Sequence, residues 1–318
     1  MLGTESTTLR LREYSQAVQI HQMGSLQMVI AKRDVQSITD RKPRDDEIDV
    51  YGVSDRGKVR KNNEDHFLLA SVHRRVNVVS TNLSELDRLP LADQRLAFMA
   101  MVADGVGGAT GGERASAMAL ETATRYVVSS MDCYDRAAAM DGTMAPALQD
   151  AVMKAHEAVL DLASAEGDGV RMATTLTLWM GVWPWYYLVQ VGDSRYYLYR
   201  DGLLTQVTRD QTIAQELLDQ GVFTRAIAER SHFKNVLSSA IGGEASLPVI
   251  TRLRADWDNV HLLCTDGLTK HVSDERIAER LRTMTSAKDA CEQLLQDALD
   301  GGGSDNITII VGRATARE

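Results

Sequence analysis

The sequence predicts a layered α+β domain built on antiparallel sheets. Three observations predict this fold class. Apolar runs of strand length recur along the chain and are bounded by turn residues. Alanine-rich stretches with helical periodicity come in pairs between these runs. Short, hairpin-like connections join some of the strands, and a hairpin pairs its two strands antiparallel.

The composition of the chain argues against several classes of function. The chain has 318 residues, of which 44% are hydrophobic, enough for a sizeable core in one large domain or two. A net charge of −9 argues against a nucleic-acid-binding protein, which needs a basic face. Three widely spaced cysteines form neither a disulfide framework nor a zinc site. Because no apolar stretch is long enough to span a bilayer and no signal-peptide pattern is present, we expect a cytoplasmic protein.

Residues 1–47 differ in composition from the rest of the chain. They mix Ser, Thr, Gln and balanced charges, and only 26–31 is apolar enough to suggest a short strand. We therefore expect an N-terminal extension that is flexible, with a regulatory or targeting arm as the alternative. A single domain covering 48–314 follows it.

The first half of that domain is predicted as three strands, two helices and three more strands. Among them, 96–103 is apolar without interruption, which indicates a strand buried on both faces. Asp104 and Gly105 end this run, and a glycine-rich bend follows. The segment Gly192-Asp193-Ser194-Arg195 is predicted to be a tight, hairpin-like turn. The predicted strands are 48–54, 66–72, 96–103, 173–182, 185–191 and 196–199, and the helices are 112–130 and 144–165.

The second half begins with an irregular segment, 210–243, which we interpret as a flap carrying one helix at 212–220. Ser273 is expected to cap a helix that ends at Arg282. The remaining predicted strands are 247–253, 260–265 and 307–311, and a last helix covers 287–299.

Acidic residues stand where four of these strands begin or end. Asp65 opens a strand and Asp104 closes the next one, whereas Asp266 closes a strand and Asp305 opens the one after it. If each pair of strands is antiparallel and adjacent, four carboxylates gather at one edge of the core. Each acid alone is explained as a turn residue, but four together repel one another unless a cation binds them. Mg²⁺ or Mn²⁺ suits such oxygen ligands best.

Arg60 lies in the same bend as Glu64 and Asp65. A guanidinium beside a metal cluster can bind a phosphate through two hydrogen bonds, and the alternative is a salt bridge to one of the acids. The glycine-rich segment lacks the Gly-Lys-Ser/Thr of a nucleotide-binding loop, which argues against kinase or ATPase chemistry. Since no nucleophilic Cys/His pair is evident, the pattern favours metal-assisted hydrolysis of a phosphoester.

From Tyr51 to Gly312 the sequence resembles the metal-dependent type 2C protein serine/threonine phosphatases, and Val106-Gly107-Gly108 resembles their bacterial branch. The resemblance rests on six motifs in the right order. These are Arg60-x-x-x-Glu64-Asp65, Val102-Ala103-Asp104-Gly105-Val106-Gly107-Gly108, Met172-Ala173-Thr174-Thr175, Val191-Gly192-Asp193-Ser194-Arg195, Thr265-Asp266-Gly267 and Ser304-Asp305-Asn306.

The resemblance implies a central sandwich of two antiparallel sheets with helices on both outer faces. It implies that a water bridging two metals attacks phosphorus without a phosphoenzyme, and that Arg60 binds the phosphate. It also implies a third, weaker metal. Asp104 is implied to bridge the tightly bound pair, with the Gly105 carbonyl on one of those metals and Asp266 and Asp305 on the other. Asp65 is implied to bind directly or through water, with Glu64 nearby. Asp193 is implied to share the third metal with Asp266.

The implied activity is hydrolysis of phosphoserine and phosphothreonine in proteins, opposing a serine/threonine kinase. Two rivals stay open, a pseudophosphatase that binds without turnover and a phosphohydrolase of small molecules. Val106 stands where many eukaryotic members have a candidate general-acid His, so the donor of a proton to the leaving group is left open. His232 is the histidine we retain as a candidate.

Overall fold

The computed structural model describes residues 41–75, 78, 80–81, 94–107, 111–130, 142–167, 170–257 and 259–315. The predicted strand at 26–31 and Gly108 of the glycine-rich motif lie outside the described residues. No helix in the described part of the chain is both long enough and apolar enough to cross a membrane.

The described strands form two antiparallel sheets. The strands are β1 (Ile48–Asp55), β2 (Asp65–Arg74), β3 (Gln94–Val106), β4 (Ala173–Thr174), β5 (Leu176–Val182), β6 (Trp185–Val191), β7 (Arg195–Arg200), β8 (Leu203–Gln206), β9 (Val249–Arg254), β10 (Val260–Cys264) and β11 (Ile307–Ala314). The five-stranded sheet has the order β1-β11-β10-β7-β8. The six-stranded sheet has the order β2-β3-β5-β6-β9, with the short β4 paired to the end of β3.

The described α-helices lie between these strands along the chain. They are α1 (Gly111–Ser129), α2 (Met144–Glu166), α3 (Ile213–Asp219), α4 (Arg225–Arg230), α5 (Asp266–Thr269), α6 (Asp274–Thr283) and α7 (Ala287–Asp300). Short 3₁₀ helices are formed by Asp45–Glu47 and His232–Asn235. Ser273 caps α6 as predicted, because its hydroxyl accepts a hydrogen bond from the Arg276 amide.

Three apolar cores separate four layers. One core joins α1 and α2 to the six-stranded sheet, a second lies between the two sheets, and a third joins the five-stranded sheet to α5, α6 and α7. Strand β3 contributes to the first two: Met99 and Met101 pack under the helices, whereas Ala100 and Val102 face the other sheet. This double burial explains the unbroken apolar run, and it confirms the predicted fold class.

The prediction of a hairpin-like turn at Gly192-Asp193-Ser194-Arg195 is wrong. Strand β6 pairs with β5 and β9, whereas β7 pairs with β8 and β10, so this turn carries the chain from one sheet to the other. Gly192 has a φ of +100°, and a Cβ there would lie 2.6 Å from the Thr175 side chain. The chain therefore leaves the six-stranded sheet in a conformation that favours glycine.

The described part of the N-terminal extension contacts the domain. The carboxylate of Glu47 is buried and binds the guanidinium groups of Arg41 and Arg44, at 2.6 and 2.9 Å. The Glu47 carbonyl accepts a 2.8 Å hydrogen bond from the Thr315 amide, next to the end of β11. The domain boundary at residue 47 stays a prediction.

Candidate metal centre

Asp65 and Asp104 lie directly opposite each other in the six-stranded sheet. Strands β2 and β3 are antiparallel, and these two residues are partners in their register. Asp65 is the first residue of its strand and is 4% exposed. The predicted adjacency of this pair is confirmed.

Asp266 and Asp305 form the corresponding pair beside the five-stranded sheet. Asp266 is the first residue of α5, two positions after β10 ends, and Asp305 lies two positions before β11 begins. These strands are antiparallel neighbours, so the two acids lie at the same end of the sheet. A Cβ on Gly267 would lie 1.8 Å from the Asn306 carbonyl oxygen, so glycine is needed for this close backbone contact.

The acids of the two sheets share one electrostatic environment. Burial raises the pKa of Asp104 well above its usual range, and the charges of Asp65, Asp266, Asp193 and Asp305 raise it further. These five carboxylates therefore influence one another electrostatically, and we call them the cluster.

Asp193 reaches this cluster from the turn that connects the two sheets. Burial raises its pKa to about 7, with further contributions from the charges of Asp266 and Asp210, while Lys270 opposes the shift. Asp193 is therefore close enough to interact with Asp266. Its assignment to a third metal stays a prediction.

Asp65 is held by hydroxyl groups of the other sheet. Its Oδ2 accepts hydrogen bonds of 2.8 Å from both Thr265 and Thr308, whereas its buried Oδ1 has no hydrogen-bond partner among the described residues. Burial raises the pKa of Asp65 to about 7 even though these two hydrogen bonds lower it. Asp266 shows the same asymmetry, since its buried Oδ1 also lacks a hydrogen-bond partner within the described ranges.

Two basic side chains bind the acids of the five-stranded sheet. Lys270 Nζ lies 2.5 Å from Asp266 Oδ2 and 2.7 Å from Asp305 Oδ2. Arg60 Nε lies 2.7 Å from Asp305 Oδ1, so the salt bridge considered for this residue is present. Burial opposes ionisation of Asp305, but Lys270 and Arg60 outweigh it and lower the pKa of this carboxyl.

The donor set fits a hard divalent cation. It offers carboxylate oxygens, two of which are buried without a partner, and its crowded negative charges call for a cation. Within the described ranges, no three Asp, Glu, His or Cys side chains are already arranged to hold a metal ion. Instead, Lys270 and Arg60 form ion pairs with three of the four carboxylate oxygens of Asp266 and Asp305.

Glu64 and Gly105 lie beside the cluster and contact the start of α1. The Gly105 amide donates a 3.2 Å hydrogen bond to the Glu64 carbonyl oxygen. A Cβ on Gly105 would lie 2.2 Å from the Gly112 carbonyl oxygen, which explains the glycine by close packing. The metal-binding roles expected for Glu64 and for the Gly105 carbonyl stay predictions.

Four residues around the cluster were not singled out from the sequence as functional. Asn306 holds the bend that carries Arg60: its Oδ1 accepts from the Glu64 amide, and its Nδ2 donates to the carbonyl of Asn62. The other three are Lys270, Thr265 and Thr308. The position of Lys270 could have been recognised from the sequence, because it follows Asp266 by four positions and so lies on the same side of a helical turn. The contacts of the two threonines could not, since their partner, Asp65, is remote in sequence.

The segment 210–243, called the flap here, contains α3, α4 and the 3₁₀ helix His232–Asn235. Its first residue, Asp210, binds Arg195 through several hydrogen bonds, the shortest being 2.7 Å. The Gln211 side chain accepts a 2.7 Å hydrogen bond from the Gly192 amide. The start of the flap is therefore attached to the turn that carries Asp193. His232 lies against Phe233, with ring centroids 3.9 Å apart.

Comparison with known proteins identifies the family. The profile of the protein phosphatase 2C family matches residues 81–301 of this chain. The chain belongs to that family. It is 34% identical over 258 residues to the serine/threonine protein phosphatase PstP of Mycobacterium tuberculosis, a match that covers 81% of this chain and 43% of PstP. The chain thus spans less than half the length of that 2C relative.

Solved structures of PstP share the fold of this 2C family member. A crystal structure of the Mycobacterium tuberculosis protein gives a TM-score of 0.68 at 31% identity, covering 85% of this chain and 99% of the other. A structure of the PstP catalytic domain in complex with two manganese ions gives a TM-score of 0.65 at 31% identity, with the same coverage. The sandwich of two antiparallel sheets is therefore the 2C fold.

Proposed function

We propose that this chain is a metal-dependent phosphatase that hydrolyses phosphoserine and phosphothreonine in proteins. The observation that carries the proposal is the cluster of acids from two sheets, in which Asp65 Oδ1 and Asp266 Oδ1 are buried without partners in the part of the chain that the structure describes. Natural proteins rarely leave buried carboxylate oxygens unpaired unless a ligand or ion completes them. Membership of the 2C family, and the two manganese ions of the PstP structure, support a divalent cation as that partner.

In this proposal the cluster holds two Mn²⁺ or Mg²⁺ ions tightly and a third more weakly. When bound, the metals supply a water activated near neutral pH for direct attack on phosphorus, which requires no phosphoenzyme. For the two tight sites, the proposed ligands are Asp104 for both, and Asp266 and Asp305 for one of them. Gly105 is proposed to bind through its carbonyl, and Asp65 is a further proposed ligand with Glu64 nearby. Asp193 is proposed to bind the third metal together with Asp266.

Other residues of the chain bind the substrate and orient the ligands. Arg60 is 51% exposed and is held over the cluster by Asp305, so its guanidinium can reach a phosphate that enters from solvent. Thr265 and Thr308 fix Asp65 by binding its Oδ2, which leaves Oδ1 for the cation. Hydrogen bonds from neighbouring side chains orient metal-binding carboxylates in this way.

The flap supports a protein as the substrate. It exposes apolar side chains, Val222, Ile227 and Val236, at 61%, 50% and 44%. Only the start of the flap, Asp210 and Gln211, is attached to the turn that carries Asp193, and we take the exposed apolar side chains further along the flap as the proposed contact surface for a protein substrate. The substrates are proposed to be phosphoproteins made by a serine/threonine kinase.

The function is tested by the rate of phosphate release from a phosphothreonine peptide and from sugar phosphates, each with and without Mn²⁺. We expect Mn²⁺-dependent hydrolysis of the peptide at a much higher kcat/KM than of any sugar phosphate. Faster hydrolysis of a sugar phosphate would support the small-molecule phosphohydrolase. Binding of the peptide without hydrolysis of any substrate would support the pseudophosphatase.

A further inference from the structure

Lys270 is placed in the cluster by local backbone geometry. It directly follows α5, and its amide donates a 2.8 Å hydrogen bond to the Asp266 carbonyl. Residues four positions apart lie on the same face of a helical turn. The Lys270 side chain therefore extends along Asp266 towards the start of β11, where Asp305 lies.

The Lys270 ammonium bridges two carboxylates at short distance. It lies 2.5 Å from Asp266 Oδ2 and 2.7 Å from Asp305 Oδ2, and its side chain is 27% exposed. Both carboxylates are more buried than the lysine, at 18% and 15% exposure. A lysine carries a compact charge on a flexible stem, so it can occupy this position and also leave it towards solvent.

The positions of the oxygens show that Lys270 and a metal would compete. A divalent cation held by Asp266 and Asp305 needs oxygens of both residues, and Lys270 binds one oxygen of each. Arg60 binds both oxygens of Asp305, since its Nε lies 2.7 Å from Oδ1 and its Nη2 donates a 3.0 Å hydrogen bond to Oδ2. Within the described cluster, Asp266 Oδ1 is the oxygen of this pair that is left without a partner.

We propose that Lys270 is a built-in counter-ion that occupies the Asp266–Asp305 half of the metal centre and must be displaced before a divalent cation binds there. The inference rests on the proposed function, since it takes these two acids as metal ligands. The consequence is a lower affinity for one of the two tightly bound metals. Lys270 then sets the metal concentration at which the centre becomes complete, and it stabilises the metal-free protein.

The test compares Lys270→Met, which removes the charge and keeps an unbranched stem, with Lys270→Arg, which keeps the charge. Lys288→Met is the matched control for the loss of one positive charge, because Lys288 lies on an exposed face of α7, 3.7 Å from Glu292. Mn²⁺ binding to the metal-stripped full chain is measured by calorimetry. The Tm of each metal-stripped protein is measured in the same buffer.

We expect Lys270→Met to raise the Mn²⁺ affinity of the weaker of the two main sites about tenfold or more, because it removes a competing contact. A tenfold change in affinity corresponds to about 1.4 kcal/mol. The metal-free Tm of Lys270→Met should fall by several degrees, on the order of 2–4 °C per kcal/mol lost. Lys270→Arg and Lys288→Met should stay close to the parent in both measurements.

Each outcome decides between the inference and the function on which it rests. Equal Mn²⁺ affinity in the parent and in Lys270→Met overturns the inference and leaves the function standing. Weaker phosphate binding by Lys270→Met with unchanged Mn²⁺ affinity also overturns it, and makes Lys270 a phosphate ligand. Absence of Mn²⁺ binding in both proteins overturns the proposed function and the competition together. Binding by Lys270→Met but not by the parent supports the inference.

Discussion

Thr308 of the five-stranded sheet donates a 2.8 Å hydrogen bond to Oδ2 of Asp65 in the six-stranded sheet. The contact joins residues 243 positions apart and is completely buried. It fixes the carboxylate in an orientation in which Oδ1 has no partner among the described residues. The orientation of a carboxylate from one sheet is thus set by a hydroxyl group of the other.

Replacing Thr308 by Val should weaken metal binding without removing a ligand. The substitution keeps the shape of the side chain but deletes the hydroxyl that orients Asp65, and loss of such a partner reduces metal affinity about 10–100-fold. Titration of the metal-stripped protein with Mn²⁺ measures the effect. Thr308→Ser keeps the hydroxyl and should bind Mn²⁺ like the parent. An equal loss in both variants would mean that the methyl group, not the hydrogen bond, matters.

Asp104→Asn and Asp305→Asn should change the stability of the metal-free protein in opposite directions. Asp104 is buried among like charges, so its neutral isostere should raise the free energy of unfolding at pH 8. Asp305 binds Lys270 and Arg60, so its replacement removes one ion-pair partner from each of these cations and should lower that energy; we expect each change to be about 1–3 kcal/mol. Urea unfolding in EDTA measures both.

The same two variants should both lose phosphatase activity, since each lacks one proposed metal ligand. Turnover near that of the parent at saturating Mn²⁺ would remove the residue concerned from the ligand set. A stability change of the same sign in both variants would contradict the charge arrangement described here.

Arg60→Ala should weaken binding of substrate and of inorganic phosphate more than it lowers kcat. A guanidinium that binds phosphate oxygens equally in the ground state and the transition state contributes mainly to KM. The KM for a phosphothreonine peptide and the inhibition constant of phosphate are the measurements. If both stay at the parental values, the pairing with Asp305 is the whole role of Arg60.

Asp193→Ala should slow poor leaving groups more than good ones. If a third metal between Asp193 and Asp266 helps to protonate the leaving oxygen, its loss matters most for an alkoxide, the stronger base. The rate on a phosphothreonine peptide should fall at least about tenfold more than the rate on p-nitrophenyl phosphate. Equal losses on both substrates would exclude a role at the leaving group.

His261 should make the protein lose stability as the solution becomes acidic. Its ring is buried between the sheets, and its Nδ1 forms a 2.7 Å hydrogen bond with the Tyr196 hydroxyl. Burial lowers the pKa of this histidine from 6.5 to about 3. Between these two values the unfolded chain binds a proton that the folded chain does not, so stability falls as pH falls. The slope is about 1.4 kcal/mol per pH unit where the difference is one whole proton.

Replacement of His261 by Gln removes the titrating ring and keeps a hydrogen-bonding group for Tyr196. We expect the free energy of unfolding of the parent, relative to this variant, to decline steadily from pH 6 to pH 4. Denaturant unfolding at several pH values measures the difference. A difference that does not depend on pH would show that the pKa of His261 is the same in the folded and the unfolded protein.

The strands and the acids at their ends could be predicted because their signals are local. The apolar run of β3, the Asp-Gly pair near the end of β3 and the Asp-Gly pair just after β10 are read directly from neighbouring residues. The passage of the chain between sheets at Gly192 could not be predicted, because a hairpin and a crossover use the same turn residues. The contact of Thr308 with Asp65 depends on the packing of two sheets, which no short stretch of sequence encodes.

The division of the acids between the two sheets also constrains how the protein folds. Asp65 and Asp104 belong to one sheet, and Asp266 and Asp305 adjoin strands of the other. A folding intermediate with only one sheet formed has half of the cluster, and two carboxylates bind a divalent ion far more weakly than four. We therefore expect high-affinity binding of the proposed metals to come late in folding, after the sheets have docked. The rate at which a refolding chain gains Mn²⁺ affinity would then measure the docking step itself.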